Sequence, residues 1–347
     1  MNEVVRPDLC DDNVVCPVTG EVLQPAGDRL AAPSGRQYAV SDGIPLLFVD
    51  EDGAAAKAAM PDERAAPVTH AVQDFYEDAP FPNYNSFDNL AAFVRRADVS
   101  VFARLLRNQI PHNSNVLEIG CGTGQMSSYL AATTLSRVYA TDMTLASLRL
   151  GRDFAMRNGI GGVRFIQMNL FVPAIRPGSM DVVISNGVLH HTYDTRKAFA
   201  SIGRLVKPGG YVVLGLYNGI GRLRTDLRRV LVKAFGDRAL VLDPHLRKEL
   251  SAEKRRAWIR DQYFHPQERK HSISEVLGWL AEDGFSFVSS IPKIIGTFRD
   301  DEPIFKPQSP GTAFDRRVAE VAMLLSHSGG EGGVFICIGQ RRAASAG

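Results

Sequence analysis

Cysteine is scarce in this 347-residue chain: Cys10, Cys16, Cys121 and Cys337 are its four, and they are scattered. That distribution supports no disulfide framework and favours free thiols. No window has the run of apolar residues that crosses a bilayer, and Met1 to Asn13 lacks the apolar segment of a signal peptide. A cytoplasmic protein with no membrane partner is expected. Neither sign of charge dominates. Forty Lys and Arg against 38 Asp and Glu leave a net charge of +2, which excludes a general attraction to polyanions. What is present, 45% hydrophobic and 22% charged residues, is the composition of a globular chain long enough for one large domain and a small one.

The chain is organised around Val116 to Gln125, VLEIGCGTGQ. Apolar residues run into Glu118, then into Gly120, Gly122 and Gly124 at alternate positions, then into a segment able to form a helix. This is a strand ending in a turn where glycine lets the backbone approach a ligand, with a helix N-terminus aimed at the same place. The dinucleotide pattern G-x-G-x-x-G would put its third glycine at Gln125, and no Gly-Lys-Ser/Thr follows as in a P-loop. Glu118 would sit badly beside a pyrophosphate, whereas it suits a ligand carrying an ammonium or sulfonium charge.

The pattern E-x-G-x-G-x-G resembles the first motif of the class I S-adenosylmethionine (SAM) dependent methyltransferases. The resemblance covers roughly Asn115 to Arg341. It implies an α/β, Rossmann-like, doubly wound sheet of seven mostly parallel strands with an antiparallel last strand, in a domain spanning 113–342. Asp142 follows the second strand (RVYAT) about eighteen residues after the last glycine, the place of a carboxylate that binds ribose hydroxyls. Asn169 stands after the third strand, where many relatives have an acidic residue that contacts the adenine amino group. Its carbonyl still accepts a hydrogen bond, and Leu170 would flank the adenine. Met143 and Asn186 complete the implied cofactor contacts.

The fourth strand and its exit, DVVISNGVLHHT, resemble the family motif that ends in Leu-His-His. His190 and His191 are the candidate catalytic residues, since a base helps when the acceptor is a hydroxyl. The alternative is that one packs on the sheet and the other shapes the pocket wall. No D/N-P-P-Y/F follows this strand and no Pro-Cys nucleophile is present, so two common nucleic-acid chemistries lose their support. Lys207-Pro208-Gly209-Gly210 then reads as a helix stop, before the strand YVVLGLY.

Residues 1–50 read as a small β-rich unit with a turn at Asp42-Gly43. It resembles the zinc-ribbon-like domain that accompanies some methyltransferases, with Thr19 where a second cysteine would stand. Cys10 and Cys16 do not close a tetrahedral site, and the unit has no histidine, so no metal is expected. Residues 51–68 read as an alanine-rich, charged linker. Residues 69–112 read as a lid and helical segment: HAVQDFYEDAPFPNYNSFD resembles an F-Y-E-x-x-P-F-P-N-Y sequence in one subgroup, with Tyr76 and Tyr84 as substrate contacts. From Phe87 to Gln109 the apolar spacing is that of a helix.

An insert at 218–271, rich in arginine, reads as helices capping the substrate pocket. Leu227, Val230, Leu231 and Phe235 form one of its apolar helical faces. Tyr217, Tyr263 and His265 join the candidate substrate contacts. A capping box at Ser272 and Glu275 opens the next helix, and the tail beyond Arg342 is expected to be disordered. The expected activity is methyl transfer from SAM to a small-molecule substrate at oxygen, nitrogen or carbon. Two alternatives stand beside it: an RNA or protein methyltransferase docking through the arginine-rich insert, and a non-catalytic SAM-fold protein that binds a partner. Sparse aromatics and interspersed acids argue against nucleic acid. The sequence carries no signal for an oligomeric state.

Overall fold

A computed structural model describes residues 11–51, 62–78, 80–82, 84, 89–247, 251–325 and 333–343. Cys10, the middle of the expected linker (52–61) and the last four residues lie outside these.

The first unit is a four-stranded antiparallel sheet, β1 (Gln24–Ala26), β2 (Arg29–Ala31), β3 (Gln37–Ser41) and β4 (Ile44–Pro45). Asp42 and Gly43 both take positive φ, 53° and 75°, as the hairpin between β3 and β4 requires. The Cys16 thiol pairs with the Tyr38 hydroxyl at 3.1 Å, and the N–H of Thr19 points at the same sulfur. Hydrogen bonds therefore shape this turn without help from a second cysteine.

Helix α1 (Ala65–Asp78) begins inside the stretch expected to be linker; Pro67 falls in its first turn, where the missing N–H costs nothing. The single helix expected over Phe87 to Gln109 is two, α2 (Leu90–Ala97) and α3 (Val101–Gln109). Ser100 breaks them by accepting from the N–H of Ala103, and Asn89 caps α2 in the same way.

The main domain alternates β5 (Asn115–Ile119), α4 (Gln125–Thr133), β6 (Arg137–Asp142), α5 (Leu145–Arg157), β7 (Val163–Gln167), β8 (Met180–Asn186), α6 (Thr195–Gly203) and β9 (Val206–Tyr217). The insert follows, with α7 (Leu223–Phe235) and α8 (Ala252–Phe264). Then come α9 (Ile273–Glu282), β10 (Phe285–Ile291), α10 (Ala313–Leu325) and β11 (Val334–Arg341). The sheet order is β10-β11-β9-β8-β5-β6-β7, parallel from β9 to β7, with β11 antiparallel to both neighbours. The central strands carry unbroken apolar runs, and Val116, Leu117, Val182, Val183, Ile184, Val212, Val213 and Leu214 are fully buried, as a sheet covered on both faces demands. Among the described residues no helix is long and apolar enough to cross a membrane.

Two local expectations are corrected. Lys207 to Gly210 does not precede β9 but lies within it: Met180 pairs with Val206, and two residues later Val182 pairs with Tyr211, so the extra residues bulge out of the ladder. In α7, Leu227, Val230 and Phe235 are exposed, while Thr225 and Val232 are buried. Of the expected face only Leu231 turns inward, packing with Val232 against Leu240, Leu246 and Tyr263, and ions tie the helix down further. Arg222 and Arg229 both bind Glu268, and Lys270 binds Asp226 at 2.6 Å.

The N-terminal sheet shares the main core. Leu46 bridges Gln167 beside the edge strand β7, the N–H of Leu47 donates to Gln167 O at 2.9 Å, and Arg149 of α5 binds Asp42. Leu30 and Leu47, both wholly buried, pack in one cluster with Leu117, Tyr139 and Ile166. Leu47→Ala is expected to cost about 2–5 kcal/mol, with far-UV dichroism and tryptophan fluorescence reporting one shared unfolding transition. A separate early transition of residues 11–50 would contradict this packing.

Candidate functional site

The strand order reverses between β5 and β8, so the crevice at the carboxyl ends of these strands is where an open α/β sheet binds its ligand. The glycine turn sits there. Gly120, Gly122 and Gly124 have φ of 66°, 54° and 70°. A Cβ on Gly122 would collide with the carbonyl oxygen of Phe81, so Phe81 and Pro82 lie directly against the turn. That segment is held from below: the Thr123 hydroxyl and the Gln125 amide both donate to Pro82 O.

Asp142, at the end of β6, ties the turn to the next strand. Its carboxylate accepts from the N–H of Gly122 (2.8 Å) and the N–H of Thr144 (2.9 Å). Glu118 is buried and accepts from the Ser127 hydroxyl; burial pushes its carboxyl up to about 7. Burial raises Asp142 as well, against the pull of its backbone donors. Neither carboxylate makes an ion pair among the described residues. Around them, Met143 O accepts from Gln73 (3.1 Å) and Gln167 (2.9 Å). The Asn169 amide donates to Val49 O, and its carbonyl accepts from the N–H of Phe171. Leu170 is buried beside it. Asn186, at the end of β8, lies across Gly215, and its buried carbonyl oxygen has no hydrogen-bond partner.

A second cluster stands where the insert returns to the sheet. Asn218 bridges His271, closing the insert at its base. His190 and His191 lie on a short 3-10 turn after β8 and are buried. Their partners define their protons. Gln267 O, 2.7 Å from His191 Nδ1, requires a proton on that nitrogen, so His191 Nε2 is an acceptor. The N–H of Tyr217 donates to His190 Nδ1 at 3.3 Å, so His190 carries its proton on Nε2 and gives it to His191 Nε2 at 3.1 Å. Both rings are neutral and their nitrogens are fully used. Burial and the neighbouring imidazole hold His190 well below the usual range, and burial brings His191 down to about 4.

His265 stacks on His191 at 3.6 Å and accepts from the N–H of Gln267 through Nδ1. Its Nε2 is buried without a partner. Tyr76 and Phe75 of α1 pack on His265 at 5.7 and 5.0 Å. The Tyr76 hydroxyl donates to Asp261 at 2.7 Å; Gln262 donates to Asp261 and to the Tyr217 hydroxyl, and accepts from Arg222 at 2.6 Å. Arg222, fully buried, lies 3.7 Å over the Tyr217 ring and is neutralised by Glu268. Burial opposes the Glu268 charge, but Arg229 and Arg222 hold its carboxyl down at about 2.

Tyr76, Tyr217, His190, His191 and His265 are thus brought together. Tyr84 stands apart, stacked on Phe154 at 4.0 Å and donating to Thr123 O behind the glycine turn. Tyr263 faces the interior of the insert and donates to Asp243 at 2.8 Å. The sequence reading did not single out Gln73, Glu77, Asp261, Gln262 or Glu268. Glu77 accepts from the N–H groups of Leu145 and Ala146, capping α5, while Gln73 holds Met143 O and Tyr76 reaches the insert. These three are spaced i, i+3, i+4 on one helix face, a signal that was legible in HAVQDFYED.

Comparison with known proteins agrees with this geometry. Residues 117–214 match the methyltransferase-domain family. An uncharacterized protein of Synechococcus is 26% identical over 258 residues, covering 67% of this chain and 61% of its own length. An uncharacterized methyltransferase of Mycobacterium tuberculosis is 32% identical over 114 residues, 31% of this chain and 56% of its own. The chain therefore spans less than two thirds of the length of these relatives. The crystal structure of magnesium protoporphyrin IX methyltransferase from Synechocystis with bound SAM is 15% identical, with a TM-score of 0.45 over 82% of this chain and 100% of that one. Residues 117–214 of the chain thus form a methyltransferase domain.

Proposed function

We propose that this protein transfers a methyl group from SAM to a small-molecule acceptor held between α1 and the 218–271 insert. The observation that carries the reading is the adjacency, through α1, of the Asp142 turn and the Tyr76–Asp261–His265 cluster.

The residues at the glycine turn fit the cofactor. Among the described residues Glu118 and Asp142 are carboxylates without cationic partners, and a ligand with a positive charge and a ribose diol supplies what they lack. In this reading Asp142 holds the ribose, Asn169 and Leu170 hold the adenine beside Met143, and Glu118 with Gly120, Gly122, Gly124 and Asn186 surrounds the methionine part. Bound there, SAM supplies an electrophilic methyl group on a sulfonium. The protein's own task is to position the acceptor and exclude water.

His190 and His191 act as pocket wall, because their hydrogen-bond chain leaves no lone pair for an incoming proton. Tyr76, Tyr217 and His265 present the polar edge toward the acceptor, while Tyr84 supports the glycine turn and Tyr263 the insert. A small molecule is favoured over RNA because Arg222, Arg228 and Arg229 of the insert are spent on Glu268 and Asp243. Buried free thiols at Cys16, Cys121 and Cys337 fit a reducing compartment, the cytoplasm.

Calorimetry with SAM tests the cofactor half. Wild type is expected to bind, and Asp142→Ala to bind more than about tenfold more weakly, the loss of roughly one charge-assisted hydrogen bond. Undiminished binding by the variant would contradict the assignment.

The histidine wall makes a second prediction. His191 stays neutral in the fold down to about 4 and His265 to about 3, whereas both protonate near 6.5 when unfolded. The unfolded state then binds more protons, so each contributes stability above about 6.5 that is lost as pH falls, about 2 kcal/mol per ring at pH 5. Glu118, raised to about 7 in the fold, works in the opposite direction. Urea midpoints measured from pH 7.5 to 5 should therefore fall less steeply for His191→Asn than for wild type. Parallel slopes would show that His191 is not buried neutral.

A further inference from the structure

One face of α8 remains outside both clusters. Ala252, Arg255, Arg256, Ile259, Arg260 and Phe264 follow the three- and four-residue spacing of one helix side and line a groove of about 530 Å³. A volume of this order holds a drug-sized molecule.

Among the described residues the cations in the groove lack the close carboxylate partners that three arginines at the start of the insert have. Arg222, Arg228 and Arg229 are each matched by a carboxylate. Among the described residues Arg255 and Arg256 are not; Arg255 gives one N–H to Leu246 O. Arg260 approaches Asp78 only at 3.9 Å, and that carboxylate is 77% exposed. Asp261, next in sequence, turns away to Tyr76 and Gln262. Arg256 and Arg260 stand one turn apart as a like-charged pair, an arrangement that destabilises a helix unless an anion lies between them. Phe264, 55% exposed, and the half-buried Ile259 set apolar surface beside these cations. The chain as a whole carries only +2, so the concentration of charge is local.

We propose that this groove binds an amphiphilic anion, a carboxylate or phosphate on an apolar body, as the part of the methyl acceptor that remains outside the site proposed between α1 and the insert. The inference rests on the methyl-transfer reading and adds the acceptor's class to it. The groove borders the Tyr76–His265 cluster: Phe264 precedes His265, and the Arg260 guanidinium lies 4.7 Å over the Phe75 ring, which packs on His265. A ligand whose acidic end is held by Arg256 and Arg260 has its other end at the wall made by Phe75 and His265. The single exposed ring favours a small molecule over a nucleic acid strand, which asks for interleaved aromatics, and over a membrane surface, which asks for a broader apolar face.

The experiment is calorimetry on the full chain, first with S-adenosylhomocysteine and then, on the loaded protein, with octyl phosphate. Inorganic phosphate and 1-octanol serve as controls. Octyl phosphate is expected to bind at least tenfold more tightly than either control. Arg256→Glu, at an exposed position with no partner among the described residues, should weaken it tenfold or more, and Arg256→Lys should largely retain it. S-adenosylhomocysteine binding should be the same in all three proteins. Equal binding of octanol, equal binding of inorganic phosphate, no binding at all, or indifference to Arg256→Glu each overturns the proposal. So does a single-stranded RNA or a phosphatidylglycerol vesicle that binds through Arg256 while octyl phosphate does not. Failure of S-adenosylhomocysteine to bind wild type would instead bring down the methyl-transfer reading and leave the groove result readable on its own.

Discussion

Two backbone N–H groups, from Gly122 and Thr144, converge on the carboxylate of Asp142. That convergence fixes how the ends of β5 and β6 meet, and the rest of the site is built outward from it. A buried carboxylate is costly unless donors surround it. Here the donors come from the glycine turn on one side and the start of α5 on the other, so neither can shift alone. α1 then closes over the same turn, with Gln73 on the Met143 carbonyl and Glu77 on the α5 N-terminus. Through Tyr76 it carries the connection to Asp261 in the insert.

The insert obeys different physics from the sheet. β5, β8 and β9 are held by apolar burial, whereas α7 turns Leu227, Val230 and Phe235 outward and is anchored by Arg222 and Arg229 on Glu268. Breaking one partner of such a buried pair strands the other charge, so the geometry is sharply specified although the pair itself adds little net stability. Arg222 also flanks Tyr217 and binds Gln262. The packing of the insert and the placement of Tyr217 and Gln262 therefore depend on the same few charges.

This difference explains what was legible in the sequence. The strands from Asn115 onward, the glycine turn and the Ser272 capping box rest on local chemistry, continuous apolar runs, positive φ and a side-chain cap, which a single sequence records. The split between α2 and α3 rests on one Ser N-cap competing with an otherwise continuous apolar pattern. The bulge at Lys207 to Gly210 depends on the partner strand β8, which local sequence does not report. The outward face of α7 was misread because periodicity identifies an apolar stripe but not whether ion pairs elsewhere on the helix decide which side is buried. Tyr84 and Tyr263 were grouped with Tyr76 by residue type; their hydrogen bonds to Thr123 and Asp243 are tertiary facts. Asp261 and Gln262 were passed over because their partners, Tyr76 of α1 for the one and Tyr217 and Arg222 for the other, are set by tertiary packing.

The central claim is that one crevice, bounded by the Asp142 turn and by the Tyr76–His265 cluster, holds both reactants. A crystal structure with S-adenosylhomocysteine tests it most directly. The account predicts the ribose hydroxyls within hydrogen-bond distance of Asp142, and the thioether on the side of the turn facing Tyr76. A nucleoside bound away from Asp142, or a thioether directed away from the insert, would contradict it.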